Sequence, residues 1–337
     1  VSATTILHLV GSAESDFYAN LSRLYAKDSL EALNNNPRYN FRIAYITPNR
    51  LWRFPSSLSQ VDIDSAQPLS IASAVEFLHQ QKIDLVLPQM FCLPGMTEYR
   101  SLLDLLQIRY IGNPPDVMAI AANKAKTKAI VATAGVKVPK GELLRHSDIP
   151  SLKPPVVIKP VNADNSLGVT LVKEKSEYQT ALQTAFSYSS EVLVEEYIAL
   201  GREVRCGIIV KDGELLALPL EEYLVNADNQ PIRNYADKLK QTDNGELIFA
   251  AKDNGKAWIV DTTDSITPSV QSVAKQCHQA LGCRHYSLFD FRIDPLGQPW
   301  FLEAGLYCSF SPKSVIVTMA KAAGISLDDL LMNYVLS

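Results

Sequence analysis

Asp290-Phe-Arg-Ile-Asp-Pro-Leu-Gly-Gln-Pro-Trp-Phe-Leu-Glu303 is the stretch on which the reading of this chain turns. It predicts two strands joined by a tight Asp-Pro-Leu-Gly turn, with one carboxylate on each strand. Side chains return to the same face every second residue, so Leu288, Asp290 and Arg292 share a face, and so do Phe301, Glu303 and Gly305. Two hydrophobic strands that aim acids at each other are costly unless a cation or a proton compensates. Hard oxygen donors of this kind suit Mg²⁺, which takes one or two carboxylates and completes its shell with phosphate and water. The plain alternative is a surface hairpin with two solvated acids.

Basic residues upstream favour the first reading. Lys159 ends the buried-type strand Pro154-Pro-Val-Val-Ile-Lys159 and precedes the small polar loop Asn165-Ser-Leu-Gly168. A lysine at a strand end before such a loop holds a phosphate by its charge and by backbone N–H groups. Lys124 opens a helix just after Ala122-Asn123. Alone, either lysine is ordinarily a solvated charge; the pair upstream of two acids points to a magnesium nucleotide. Neither the P-loop pattern nor G-x-G-x-x-G is present, so a nucleotide needs another architecture.

Composition narrows the class. A chain of 337 residues fits two or three domains with ample apolar content to bury. A net charge of −4 leaves no basic footprint for nucleic acid. No apolar run reaches membrane-spanning length, and no basic-then-apolar leader precedes the first strand. The chain begins at Val1, which leaves a removed leader or tag open. Five cysteines without a CxxC pair read as reduced thiols of a cytoplasmic protein.

Strand-like runs at 4–10, 41–46 and 83–88 alternate with helical spacing at 14–33 and 96–106, which implies a parallel sheet and a first α/β domain over 1–118. A lysine-bearing helix then leads a central unit, 119–198. The third unit, 199–337, is strand-rich, is interrupted by a polar stretch from 226 to 256 without a clear period, and ends in helices near 267–281, 313–322 and 326–335. A long polar insertion in a compact domain is usually a lid or is disordered.

In order along the chain, Gly11-Ser-Ala-Glu14, Asn123-Lys124, Val157 to Val169, Leu193-Val-Glu-Glu-Tyr-Ile198 with Gly201-Arg-Glu203, Leu302-Glu-Ala-Gly305 and Ser311-Pro-Lys-Ser314 resemble the motifs of the ATP-grasp ligases, in their D-alanine–D-alanine ligase branch. The resemblance covers nearly the whole chain. It implies an ATP-grasp fold, α/β overall and α+β in the ATP-grasp part, with three domains and the nucleotide between the central and C-terminal ones. It implies ATP and Mg²⁺ as cofactors. Lys124 and Lys159 would hold phosphates, while Glu195, Glu196 and the backbone near Ile198 would read the adenine edge. Glu203 would accept the ribose hydroxyls and Leu302 would pack on the adenine face. Asp290 and Glu303 would ligate magnesium. Ser166 and Lys238 would touch the transferring phosphoryl group, with Glu14, Asn165, Lys313 and Ser314 holding substrate. Homodimers are common in the family.

The departures bear on the acceptor. Leu288 stands where the family has an arginine that stabilises the acyl oxyanion, a donor worth on the order of 3 kcal/mol in such sites. Gly305 stands where an asparagine ligates metal, Leu239 replaces a tyrosine, Asn165 a serine and Gly95 a glutamate. The ATP half is kept and the acceptor half is changed, which implies a different electrophile. Within the family, His8-Leu-Val-Gly-Ser-Ala-Glu-Ser-Asp-Phe-Tyr18, Ala44-Tyr-Ile-Thr-Pro48 with Trp52-Arg-Phe-Pro55, and Pro88-Gln-Met-Phe-Cys-Leu-Pro-Gly-Met-Thr97 look most like the ligases of mycosporine-like amino acid biosynthesis. That likeness implies small-molecule substrates: a serine- or threonine-type amine donor and a cyclohexenone or cyclohexenimine acceptor, with Phe91, Met96 and Tyr307 as candidate walls for the ring. The alternatives are a D-alanine–D-alanine or other dipeptide ligase, and a nucleotide-binding regulator without turnover.

Overall fold

A computed structural model describes residues 3–163, 166–226 and 256–336, with two short strands between the last two spans. Three sheets organise it. The first holds β1 (Thr4–Gly11), β2 (Tyr39–Ile46), β3 (Trp52–Arg53) and β4 (Leu85–Pro88) in the order β3-β2-β1-β4. β1 pairs in parallel with β2 and β4, and β3 is an antiparallel edge. Ile6 to Gly11 are buried without a break, as expected of a central parallel strand covered on both faces. Ser15 caps the helix Asp16–Leu33 by accepting from the Tyr18 N–H, and this helix packs on β1.

The second sheet holds β5 (Gly141–Leu144), β6 (Val156–Pro160), β7 (Thr170–Val172) and β8 (Val192–Glu196), all antiparallel, in the order β5-β8-β6-β7. The third is built from β9 (Arg202–Lys211), β10 (Glu214–Ala217) and β11 (Glu221–Tyr223). β12 (Leu239–Gln241) and β13 (Leu247–Phe249) form a separate antiparallel ribbon, so the polar stretch without a sequence period does contain regular backbone. β14 (Ala257–Ile259), β15 (Tyr286–Ile293) and β16 (Pro299–Gly305) complete the third sheet in the order β14-β11-β9-β15-β16, with β10 on β9. The closing helices are Thr267–Ala280, Val315–Ala322 and Leu327–Leu336.

The hairpin β15–β16 corrects the simple alternation read from sequence. Its register runs from Asp290↔Glu303 to Phe291↔Phe301, which leaves Leu302 as a bulge. The extra residue turns Phe301 to the face opposite Glu303, where it packs with Phe289 and Phe291 in the core. Asp290 and Glu303 remain opposite each other, and Leu302 turns to their side of the sheet.

A shared apolar core and buried polar side chains join the first and third sheets, Asn113 prominent among them. Asn113, fully buried, donates to the Tyr286 and Leu306 carbonyls at 2.9 Å each and accepts from the Arg284 N–H at 2.8 Å. Arg100 donates to the Asn113 carbonyl at 2.7 Å. At Gly112, with φ +107°, a Cβ would sit 2.8 Å from both Arg100 and Tyr286, so only glycine fits the crossing. Replacing Asn113 by alanine strands two carbonyls and an N–H in the interior. The expected loss is about 2–4 kcal/mol in urea unfolding, and a loss under 1 kcal/mol would mean the joint lies elsewhere.

Candidate active site

Ten of the residues singled out from the sequence line one cavity between the second and third sheets: Lys124, Lys159, Ser166, Glu195, Glu196, Ile198, Glu203, Asp290, Leu302 and Glu303. The cavity holds about 80 Å³. That is below the ~300 Å³ at which ligand pockets begin, so the cavity as it stands is smaller than a nucleotide needs.

Local sequence explains the placement. Asn123 caps the helix Lys124–Thr133 through the Lys126 N–H, which sets Lys124 at the first helical position facing the loop after β6. Its amine donates to the Ala163 carbonyl and stands 3.9 Å from Glu303. Lys159 lies on β6, and Glu195 lies on the neighbouring strand β8. Ser166 sits at φ +60° in the turn that closes the β6–β7 loop. Gly168 follows at φ +69°, where a Cβ would come within 2.8 Å of Pro160 and Tyr188.

Every buried acid of the cleft has a cation against it. Glu195, 1% exposed, takes Lys159 at 2.5 Å and Lys128 from the helix Lys124–Thr133. Burial pushes the Glu195 carboxyl up, but the two lysines outweigh it and leave it below the ordinary carboxylate value. Lys128 responds the other way: burial, only partly offset by Glu195, brings its amine down to about 8. Glu203 takes Arg292 at 2.8 Å, and Arg292 also donates to the Ile198 carbonyl at 3.2 Å and lies over the Tyr197 ring. Asp290 takes the fork of Arg205, with Nε on Oδ1 and NH2 on Oδ2 at 3.3 Å.

Lys128, Arg205 and Arg292 were not picked out from the sequence as site residues, though each carried a signal. Lys128 is four residues after Lys124 and so shares its helix face. Arg205 follows Glu203, and Arg292 follows Asp290, by the two-residue step that keeps a strand face. Of the acids expected at the adenine, Glu196 is exposed and Glu195 is engaged with two lysines.

The described residues assigned to substrate, Glu14, Lys313 and Ser314, are not among those that line that cavity. Glu14 is exposed in the turn after β1. Lys313 pairs with Asp28 at 2.9 Å, and Ser311 also donates to Asp28. Ser314 caps the helix Val315–Ala322, accepting from the Val317 N–H. Lys238 and Asn165 fall outside the described residues. Phe91 meets Tyr25 at 5.5 Å and Tyr307 at 5.3 Å between ring centroids, beside Leu21 and Phe17. Met96, expected on the same wall, is instead packed into the core under the third sheet. Gly95 cannot carry a side chain, since a Cβ would meet that of Met90 at 2.3 Å.

Leu288 and Gly305 are register partners one step from the acid pair. A Cβ on Gly305 would meet only Leu288, at 3.9 Å, so packing does not demand glycine there. Among the described residues no cluster of three or more His, Cys, Asp or Glu is set to hold a metal. Two facing carboxylates with room for phosphate oxygens fit Mg²⁺, which keeps water and phosphate in its shell, better than a metal that needs a full protein cage. The cysteines are all free, and no described helix is long and apolar enough to cross a membrane.

Residues 130–336 match the family model described as D-ala D-ala ligase C-terminus. The D-alanine–D-alanine ligase of Maridesulfovibrio salexigens is 33% identical over 237 residues, 69% of this chain and 72% of that protein. That of Trichlorobacter lovleyi is 31% identical over 264 residues, 75% of this chain and 78% of that protein. Two solved structures share the fold: the VanG D-Ala:D-Ser ligase from Enterococcus faecalis has a TM-score of 0.78 at 24% identity, covering 98% of this chain and 99% of that one. The D-alanine–D-alanine ligase from Coxiella burnetii has 0.79 at 19%, covering 100% and 94%. The chain belongs to the D-alanine–D-alanine ligase family: it has the ATP-grasp fold and is an ATP- and Mg²⁺-dependent ligase that forms carbon–nitrogen bonds.

Proposed function

We propose that this ligase joins an amino acid to the ring carbonyl carbon of mycosporine-glycine, through a phosphorylated enaminone oxygen. The observation that carries the reading is the floor made by Leu288 and Gly305 beside the acid pair, apolar and open where an acyl oxyanion needs a donor. The rings of Tyr25, Phe91 and Tyr307, packed edge-on and tilted beside Leu21 and Phe17, add an aromatic cluster that a cyclohexenone could pack against. The enaminone oxygen attacks the γ-phosphorus and ADP leaves. The amine then adds to the activated ring carbon, phosphate departs with the former carbonyl oxygen, and the nitrogen gives up both of its protons, one to the departing phosphate and one to solvent, to leave the imine.

In this reading Lys124 and Lys159 hold the phosphates, and Ser166 donates to the group in transfer. Asp290 and Glu303 would hold Mg²⁺, which would supply positive charge to the phosphoryl oxygens. Glu203 faces the ribose, with Ile198 and Leu302 against the adenine. Lys238 and Asn165, outside the described residues, would act on the phosphoryl group and the substrate. Glu14, Lys313 and Ser314 hold the amine donor by its charged groups, Lys313 exchanging Asp28 for a carboxylate.

A second reading is a dipeptide ligase, acting on D-alanine or another amino acid through an acyl phosphate. The curated relatives favour it over the first, since those that match are named D-alanine–D-alanine ligases. Leu288 separates the two. Under the first reading, purified protein with ATP and Mg²⁺ forms ADP with mycosporine-glycine plus serine or threonine, giving a product absorbing at longer wavelength. Leu288→Arg then lowers that rate tenfold or more. ADP formation from D-alanine alone, raised by Leu288→Arg, establishes the second reading and ends the first.

The Lys128 amine adds a pH signature. Protonated below about 8, it shares the Glu195 charge and leaves Lys159 available to phosphate. As pH rises through 8, Glu195 leans on Lys159 alone, and nucleotide affinity is expected to fall about fivefold by pH 9.5, the effect of ~1 kcal/mol between charges in a partly screened site. Unfolding does not explain such a loss. The unfolded lysine keeps its proton up to its ordinary 10.5, so this group makes the fold more stable, not less, between about 8 and 10.5. Lys128→Arg keeps the charge and should flatten the profile in a calorimetric ADP titration; an unchanged slope would remove Lys128 from the account.

A further inference from the structure

Four ionisable side chains stand in one row across four neighbouring strands. Glu221 on β11 is opposite Arg205 on β9, Arg205 is opposite Asp290 on β15, and Asp290 is opposite Glu303 on β16. Register partners share a face, so the row reads acid, base, acid, acid, and Lys124 closes it beyond Glu303. The two adjacent acids repel unless each has a cation on its outer side. Lys124 serves Glu303, and Arg205 serves Asp290.

Arg205 is built into its place. Its side chain is 13% exposed and that of Asp290 12%. The guanidinium takes both carboxylate oxygens in a side-on fork, the geometry that fixes a carboxylate's plane as well as its position. Its carbon lies 4.9 Å over the centre of the Tyr223 ring, whose hydroxyl donates to Glu221 at 2.6 Å. The stacked ring and the acid behind it hold the guanidinium from the side away from the cleft. A carboxylate gripped at both oxygens still offers a lone pair on each to a metal.

We infer that Arg205 is a positioning residue for the metal carboxylate, holding Asp290 toward Mg²⁺ from the side opposite Glu303. The inference rests on the reading of Asp290 and Glu303 as the metal pair. Partners of this kind, bonded behind a ligating carboxylate, ordinarily change metal affinity by 10–100-fold when removed. Removing a cation also lowers repulsion of the metal, which acts the other way. The two-bond fork and its stacked support argue that orientation dominates.

Mn²⁺ provides a readout independent of turnover. Its binding to the full-length protein with a non-hydrolysable ATP analogue is followed by the loss of free-ion paramagnetic signal, for the wild type, Arg205→Gln, Arg205→Lys and Asp290→Asn. Arg205→Gln is expected to weaken Mn²⁺ binding tenfold or more, with analogue affinity in EDTA unchanged within twofold, because Lys124 and Lys159 are untouched. Arg205→Lys should recover only part, since an ammonium cannot make the fork. Mn²⁺ binding unchanged or tighter in Arg205→Gln, with Asp290→Asn weakened, overturns the role of Arg205 alone. A parallel fall in EDTA also overturns it, as general damage to the cleft. Asp290→Asn binding Mn²⁺ like the wild type overturns the metal pair itself.

Discussion

The cleft depends on charge neutralised largely out of water. Glu195, Glu203 and Asp290 are buried or nearly so between two sheets, each with a lysine or arginine against it, and the more open Glu303 has Lys124 at 3.9 Å. Burying a lone carboxylate costs several kcal/mol, and a well-directed partner recovers much of that without making the pair a source of stability. In the proposed reading, what the arrangement supplies is a set of cations held in place for phosphate. Lys159 and Lys124 touch acids that a polyphosphate can replace, whereas the arginines on β9 and β15 are forked or stacked and stay where they are. The lysines of the second sheet and its neighbouring helix are thus exchangeable, and the arginines of the third sheet are fixed.

The same third sheet carries both chemistry and core. One bulge at Leu302 separates them, sending Phe301 into the aromatic cluster with Phe289 and Phe291 while keeping Glu303 opposite Asp290. Without it the two-residue period would place Phe301 on the cleft face. A two-residue alternation is the natural first reading of a hairpin, and a bulge leaves no mark in composition. The acids were therefore legible in the sequence, and the position of Phe301 was not.

Other parts divide the same way. Elements with strong local signals were readable: the buried strand Thr4–Gly11, the Asn123 cap before Lys124, and the three closing helices within two residues of their ends. The motif resemblance gathered ten residues that do share one cavity. Pairings between distant segments were not readable. Nothing near Asn113 in the sequence announces bonds to Tyr286 and Leu306, and nothing near Arg205 announces Asp290, 85 residues later. The expected substrate residues were least legible, because Lys313 and Ser311 turn to Asp28 on the helix Asp16–Leu33 and Met96 packs into the core.

The acceptor end of the sheet is apolar and open at Leu288 and Gly305, whereas the nucleotide end is dense with charge. In the proposed reading, that gradient along β15 lets the family scaffold keep its phosphoryl donor while what receives the phosphate changes. The most direct test is a crystal structure of the protein with Mg²⁺ and a non-hydrolysable ATP analogue. The account predicts the metal on Asp290 and Glu303, the phosphates on Lys124 and Lys159, and Glu195 still paired with Lys128. A nucleotide seated elsewhere, or a metal touching neither carboxylate, would contradict it.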